Sequence, residues 1–392
     1  MKVTISVYGR YHAFDLAREM ERAGCLDTLI TSQPKFAATR FGISRARVTS
    51  LLTAEVMRRG WHWLPDLVRS PFDEASNYLF SEYFDRLAAT SVRPCDLFVG
   101  FSTFSLRTMK EARAQGAVTV LERGSSHRLY QQELVAEEYA RFGATHRLLA
   151  DPRLVDKELA EYEAADFISV PSHFAKQSFI ERGVPAHKLL QVPYGVDPEH
   201  FHATAPHDEV FRLIHVGGLT LRKGVHYLLR AFHELRLPGA ELWLVGQAAP
   251  EITPFLRQYG GSAVRMIASQ PQNQLHRYYS QATAFCLNSI EEGFGMVVSQ
   301  AMACGLPIVC TEHTGARDLI RHGVDGLVIP VRDVEKLKES ILFLYGDRVA
   351  ARAMGESARQ RVLAEFTWRD YRHRMLAAYR GALAAVPHVP LH

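Results

Sequence analysis

The chain alternates short apolar runs with longer segments of helical period. In the first half VTISV (3–7), TLITS (28–32), DLFVGF (96–101), VTVLE (118–122), FISVPS (167–172) and LLQVP (189–193) read as strands. In the second half RLIHVG (212–217), ELWLVG (241–246), VRMIAS (264–269), AFCLNS (284–289), PIVCT (307–311) and GLVIP (326–330) read the same way. Strands alternating with helices predict βαβ units and parallel sheets. Residues 192–209, VPYGVDPEHFHATAPHDE, are rich in Pro, His and Asp without a clean period, and read as a linker. After Pro330 the chain turns helical. In its last helix Trp368, Tyr371, Met375 and Tyr379 recur at three- and four-residue steps, an apolar stripe that must pack on something. The predicted fold class is α/β: two Rossmann-like, doubly wound domains over 1–195 and 196–366 facing across a cleft, with 367–392 crossing back. Ligands are expected at the carboxyl ends of the strands.

Length and composition agree with this picture. A chain of 392 residues exceeds one ordinary core, and 47% hydrophobic with 22% charged residues describes a soluble globular protein. The net charge of +4 is too small for a dedicated nucleic-acid binder, but it favours anionic ligands or an anionic membrane surface. Five scattered cysteines without a CxxC or Cys/His cluster read as reduced core thiols. The start, MKVTISVYGR, lacks the apolar core of a signal peptide, and the longest uncharged window, Gly293 to Thr311, is broken by Gly and Pro. A cytoplasmic location is expected.

The candidate chemistry concentrates in EEGFGMVVSQAMACG, residues 291–305. A turn after AFCLNS leads into a helix beginning near Gly295, and a helix N-terminus presents free N–H groups and partial positive charge to a phosphate. Gly293 and Gly295 would let an anion approach the backbone closely. Glu292 stands where it could accept hydrogen bonds from hydroxyls, and Gln300 lies roughly 7–8 Å further along the helix axis. A sugar nucleotide fits that spacing. The bland alternative is a plain strand–turn–helix with Gln300 in solvent. A second turn, HVGGLTLRKG (215–224), places Arg222 and Lys223 at a strand end, where two cations can hold a diphosphate and neutralise a leaving group.

Together VGGLTLRKG, EEGFGMVVSQAMACGLPIV, TGARDLI, GVDGLVIP, VPYGVD and the WRDYRHRMLAAY helix resemble the nucleotide-sugar domain of family 4 retaining glycosyltransferases of the GT-B fold (glycosyl transferases group 1). The resemblance covers the second half and the tail; the first half matches in layout. It implies a donor site formed by Gly217, Gly218, Arg222, Lys223, Gly293, Phe294, Gly295, Met296, Val297 and Gln300, with Arg222, Lys223 and Glu292 in catalytic roles. Two positions depart from the family. Gln300 stands where a second Glu is usual, and Gly218 where many relatives carry an arginine, a role Arg222 could take over. No Asp-x-Asp occurs, so the expectation is a metal-independent reaction with no cofactor and a UDP- or GDP-type sugar as donor substrate. No pair of catalytic carboxylates emerges that would support double displacement.

The first domain is expected to take the acceptor, a glycan, lipid-linked sugar or small molecule. Gly9, Arg10 and His12 follow its first strand. Arg123, Ser125 and His127 follow VTVLE, where the family places a histidine near the donor sugar. His127 is the choice for that role and Arg123 the alternative; His127 as a mere helix cap stays open. Residues 40–70 combine six arginines with Trp61 and Trp63, which would suit either a peripheral contact with an anionic inner membrane surface or a solvated helical hairpin. The functional expectation is a glycosyltransferase active in polysaccharide biosynthesis. Two alternatives remain: another reaction of the fold, such as epimerisation or phosphorolysis, and a non-catalytic sugar-nucleotide or glycan binder.

Overall fold

The computed structural model describes residues 1–69, 72–144, 151–204 and 208–386. Parts of the predicted linker (205–207), of the basic segment 40–70 (residue 70) and of the tail (387–392) lie outside the described residues.

The first sheet contains β1 (Val3–Val7), β2 (Leu26–Thr31), β3 (Val48–Ser50), β4 (Leu97–Phe101), β5 (Val118–Glu122), β6 (Phe167–Val170) and β7 (Leu189–Gln191). Its order is β3-β2-β1-β4-β5-β6-β7, and every pairing is parallel. The second contains β8 (Phe211–Val216), β9 (Ala240–Val245), β10 (Val264–Ile267), β11 (Ala284–Leu287), β12 (Ile308–Thr311) and β13 (Gly326–Ile329). Its order is β10-β9-β8-β11-β12-β13, again all parallel. Helices cover both faces, which is why β1, β4, β5 and β11 are buried along their whole length and read as unbroken apolar runs. The register is continuous where the sheets are deepest: Leu97 pairs with Val118 through to Phe101 with Glu122, and Phe211 with Ala240 through to Val216 with Val245.

In each sheet the strand order reverses beside the first strand, between β1 and β4 and between β8 and β11. The turns leaving those four strands therefore open into a crevice. Each apolar run named above contains a strand. Among the described residues the strand the pattern missed is β3, three residues inside the segment read as a helical hairpin; it is an edge strand paired with β2, too short to show a period.

The last helix, Trp368–Ala385, starts in a capping box between Thr367 and Asp370. Its stripe of Tyr371, Met375 and Tyr379 is fully buried, in one cluster with Val3, Phe14 and Val192 of the first sheet's layer. Arg372 Nη1 reaches Glu19 Oε2 at 3.1 Å on the helix Ala13–Arg22. Val196 N donates to Phe366 O (2.8 Å) and Trp368 N to Val196 O (3.3 Å), so the chain crosses between the domains at one seam. Gly195 leaves no room there: a Cβ would stand 2.6 Å from the Trp368 backbone.

Candidate active site

The turn leaving β8 is set by Gly224, whose φ of +65° suits glycine and whose missing Cβ makes room for the carbonyl oxygen of Asn288 at the end of β11. This brings Arg222 and Lys223 onto the turn leaving β11. Arg222 Nη1 donates to Glu291 O (3.0 Å) and to Glu291 Oε2 (3.1 Å), and lies 3.9 Å from Glu292 Oε2. Lys223 Nζ contacts Glu292 Oε2. Burial, followed by the Arg222 guanidinium, pushes the Lys223 ammonium down to about 7, while Glu291 opposes them. Gly218 faces open space: the nearest atom to a Cβ there is Thr220 Cγ2 at 3.9 Å. Gly217 (φ +144°) shapes the start of the same turn.

Gly295 ends the turn after β11 and precedes the helix Met296–Ala303 with φ of +78°. In the helix's first turn Met296 and Val297 are only partly buried, and Met296 lines the crevice. Gln300 is buried, not in solvent; its Oε1 accepts from Tyr279 Oη at 3.4 Å, which leaves the amide nitrogen for a ligand. It lines a cavity of about 500 Å³ together with Gln272 and Asn273. Gly293 has a different task from the expected one. A Cβ there would meet Gly124 O and stand 2.5 Å from Ser125 Cα, so this glycine admits the loop of the first domain, not an anion. Ser172 Oγ donates to Gly293 O at 2.6 Å from the same side.

Between the domains lies a cavity of about 650 Å³, with Glu292, Phe294 and Met296 on one wall and Arg10, His12 and Ser125 on the other. His12 Nε2 is 3.0 Å from Glu122 Oε1, and Tyr194 Oη donates to the same oxygen at 3.1 Å. The His12 ring packs against Tyr194 (centroids 4.2 Å) and Phe101 (4.9 Å), which fixes its orientation. Arg10 stacks on Phe41, its Cζ 3.9 Å from the ring centroid. Gly9 shapes the turn: φ is +90°, its N–H donates to Ser32 Oγ at 3.0 Å, and its carbonyl accepts from Thr31 Oγ1 at 2.8 Å.

The two residues weighed for the place near the donor sugar are engaged elsewhere. His127 is buried behind the cleft wall. It caps the helix Arg128–Arg141, its Nδ1 accepting from Leu129 N at 3.3 Å, and packs on Tyr162 and Phe179 with centroids 5.0 Å away. Burial, then Arg123, pushes its imidazole down to about 4, so it is held neutral. The strand-to-helix turn needs a cap at this position, and that turns the ring inward. Arg123 borders the cavity but spends its guanidinium on Ser126 O (3.1 Å), Gln131 Oε1 (3.1 Å) and Glu158 Oε2 (3.0 Å), where it stiffens the loop. The histidine of the cavity is His12.

Glu291, unassigned from sequence, is the centre of the interface. Its carboxylate accepts from Ser125 Oγ (2.7 Å), Ser126 Oγ (2.7 Å) and Gln131 Nε2 (2.8 Å) of the first domain, and from Arg222 of the second. Burial pushes this carboxyl up, but Arg222 and then Gln131, Ser126 and Ser125 outweigh it and hold it down at about 2. The doubled acid in IEEG was the visible signal, but its first-domain partners lie 160 to 166 residues away. Among the described residues no three His, Cys, Asp or Glu side chains form a group suited to a metal ion.

Residues 196–361 match the family model described as glycosyl transferases group 1. Over 227 residues, 54% of this chain, the sequence is 29% identical to the amylovoran biosynthesis glycosyltransferase AmsK of Erwinia amylovora. The chain spans little more than half the length of the curated relatives it matches, 55% for AmsK and 52% for a glycogen synthase of Mycobacterium tuberculosis. In structure it resembles the sucrose-phosphate synthase of Thermosynechococcus elongatus, with TM-score 0.75 and 20% identity over 98% of this chain and 100% of that one. Anabaena HepE, solved with UDP-glucose, gives TM-score 0.68 and 16% identity over 97% and 100%. Both likenesses are of fold. Residues 196–361 therefore form a domain of the glycosyl transferases group 1 family, carried on a chain with the GT-B fold.

Proposed function

We propose that the protein is a retaining, metal-independent glycosyltransferase that moves a hexose-type sugar from a nucleoside diphosphate to an acceptor hydroxyl. The observation that carries this reading is the convergence of Arg222 and Lys223, from the β8 turn, on Glu292 beside the N-terminus of the helix Met296–Ala303. A diphosphate set against these cations and the helix end replaces carboxylate partners with its own charge, and the same groups stabilise it as it departs. Glu292, released from Lys223, is then available to the sugar hydroxyls. The ribose and base extend toward Gln300, Gln272 and Asn273, and the acceptor enters past His12.

In the reaction the acceptor oxygen bonds to the anomeric carbon as the bond to the diphosphate oxygen breaks. The hydroxyl proton passes to the departing diphosphate, on the face where attack occurs. Same-face attack is favoured over double displacement because the other carboxylates lining the cavity already have partners: Glu122 Oε1 meets His12 and Tyr194, and Asp15 Oδ1 meets Arg18 at 3.0 Å. HepE was solved with UDP-glucose, which supports a sugar-nucleotide donor of the UDP class here. Gln300, neutral and engaged by Tyr279, favours one second reading: a sugar-nucleotide binder without turnover.

A peripheral membrane seat belongs to the same proposal. No helix among the described residues is long and apolar enough to cross a membrane. On and after the helix Leu52–His62, however, Val56, Met57, Leu64 and above all Trp63 (87% exposed) face outward. Flotation with anionic liposomes tests the seat.

The deciding experiment for the donor site is a metal-free thermal-shift screen with UDP, GDP, ADP and their sugar conjugates. A nucleotide at a hundred times its Kd adds about 2.7 kcal/mol. Loss of the shift in Arg222→Ala/Lys223→Ala places the donor. Absence of any shift at millimolar ligand overturns the reading.

A further inference from the structure

The turn leaving β1 borders a further cavity, of about 380 Å³, built wholly from the first domain. It is joined to the interdomain cavity at a neck formed by Arg10, Tyr11, Thr103 and Phe104, which line both. Two of the neck residues are strained. Tyr11 has φ of +41° and Thr103 +84°, and among the described residues only Arg236 and Arg332 share this conformation without being glycine. A β-branched residue at positive φ persists only when its surroundings over-determine it. For Thr103 they do: its N–H donates to Glu161 Oε2 (2.6 Å) and its Oγ1 to Glu158 Oε1 (2.9 Å), both buried acids of the helix Pro152–Ala164. Tyr11 is held by no such bonds, leaves 62% of its surface exposed, and lies over Phe104 with rings 6.4 Å apart and 27° from parallel.

Beyond the neck one wall is aromatic and the other polar. Tyr8 continues the aromatic wall, 5.2 Å from Phe104. Opposite are the side-chain amides of Gln33 and Asn77, which have no hydrogen-bond partner among the described residues. Of the charged lining residues, Arg58 donates to both oxygens of Glu55, at 2.7 and 3.2 Å, while Arg10 at the neck lies over the Phe41 ring. An aromatic face with free amides suits a ligand that is apolar on one face and hydroxylated at its edge. A pyranose ring is such a ligand.

We propose that this cavity is a second acceptor subsite, so that the acceptor is a glycan of at least two sugar units. One unit offers its hydroxyl in the interdomain cavity and the next lies beyond the Tyr11–Thr103 neck. The assignment rests on the transferase reading for its orientation, but the cavity's own sugar preference can be measured separately.

The test applies the labelled full chain, with the best-stabilising nucleotide where one is found, to an array of neutral and acidic glycans of one to six units. A Gln33→Ala/Asn77→Ala variant is run in parallel, with its ligand-free cooperative melting, matched to the parent, as the control for folding. The expected result is at least tenfold tighter binding of disaccharides and longer glycans than of single sugars, with that preference erased in the variant. Equal binding of single sugars, a preference that survives the variant, or no glycan bound while nucleotides still shift the melting overturns the subsite and leaves the donor reading standing. A length preference lost in the variant without any nucleotide shift supports the subsite and overturns the donor reading instead.

Discussion

Ser125 Oγ donates to Glu291 Oε1 at 2.7 Å, so the carboxylate that holds Arg222 is itself held by the opposite domain. The residue proposed to receive the diphosphate is thus tied to domain closure through one buried acid. This relationship yields the first two predictions.

Glu291→Ala removes one partner of a buried ion pair and strands Arg222 together with three donors of the first domain. A loss of about 3–5 kcal/mol is expected, read by chemical denaturation. Glu291→Gln keeps an acceptor for Ser125 and should lose less. If both variants melt with the parent, the interface does not depend on this group.

Acid should act through the same residue. Glu291 is held at about 2, below its value in the unfolded chain, so its contribution is fully present above that ordinary value. The contribution is lost as pH falls from about 4.3 toward 2, on the order of 3 kcal/mol in all. Glu291→Gln should flatten this part of the stability profile, and an unchanged acid limb in the variant would assign it to other carboxyls.

Lys223 couples donor binding to protons at the other end of the scale. With its ammonium pushed down to about 7, the free site is partly neutral at mildly alkaline pH, and an arriving diphosphate raises that value again. Nucleotide affinity is expected to weaken as pH rises through 7, with proton uptake on binding near pH 8. Calorimetry in buffers of different ionisation enthalpy reads the uptake, which should vanish in Lys223→Met.

The two glycines of the donor turns should respond oppositely. Gly293→Ala drives a methyl into the backbone of Gly124 and Ser125; a loss of about 1–3 kcal/mol or an opened cleft is expected, visible in melting and small-angle scattering. Gly218→Arg meets open space and should leave stability within about 0.5 kcal/mol while tightening nucleotide binding through an added cation. Weaker nucleotide binding in Gly218→Arg would mean that the diphosphate lies elsewhere.

His12 and His127 separate by role. His127→Ala removes a helix cap worth about 1 kcal/mol and should change melting more than turnover. His12→Ala should cut donor turnover at least tenfold; because it also strips a partner from buried Glu122 and lowers melting, the turnover is compared where both proteins are folded, with His12→Gln as the milder change. Turnover lost only in His127→Ala would restore that histidine to the reaction.

Much of this was legible in the chain itself. Parallel strands covered on both faces must be apolar throughout, so runs such as β1, β4, β5 and β11 could be read directly, and β3 escaped because three edge residues carry no period. The apolar stripe from Trp368 to Tyr379 marked a helix that had to pack, whereas the positive φ of Gly224 and Gly295 appeared only in the structure. Arg222, Lys223 and Glu292 were readable because each sits beside its own turn. What the sequence could not decide was every contact made across the cleft. Glu291 and Gly293 belong to the interface because Gly124, Ser125, Ser126 and Gln131 arrive there from the other domain, and His127 left the cleft because its turn needed a cap. A strand or a helix end follows from neighbours in the chain; the partner of a buried carboxylate is chosen only when two sheets close on each other.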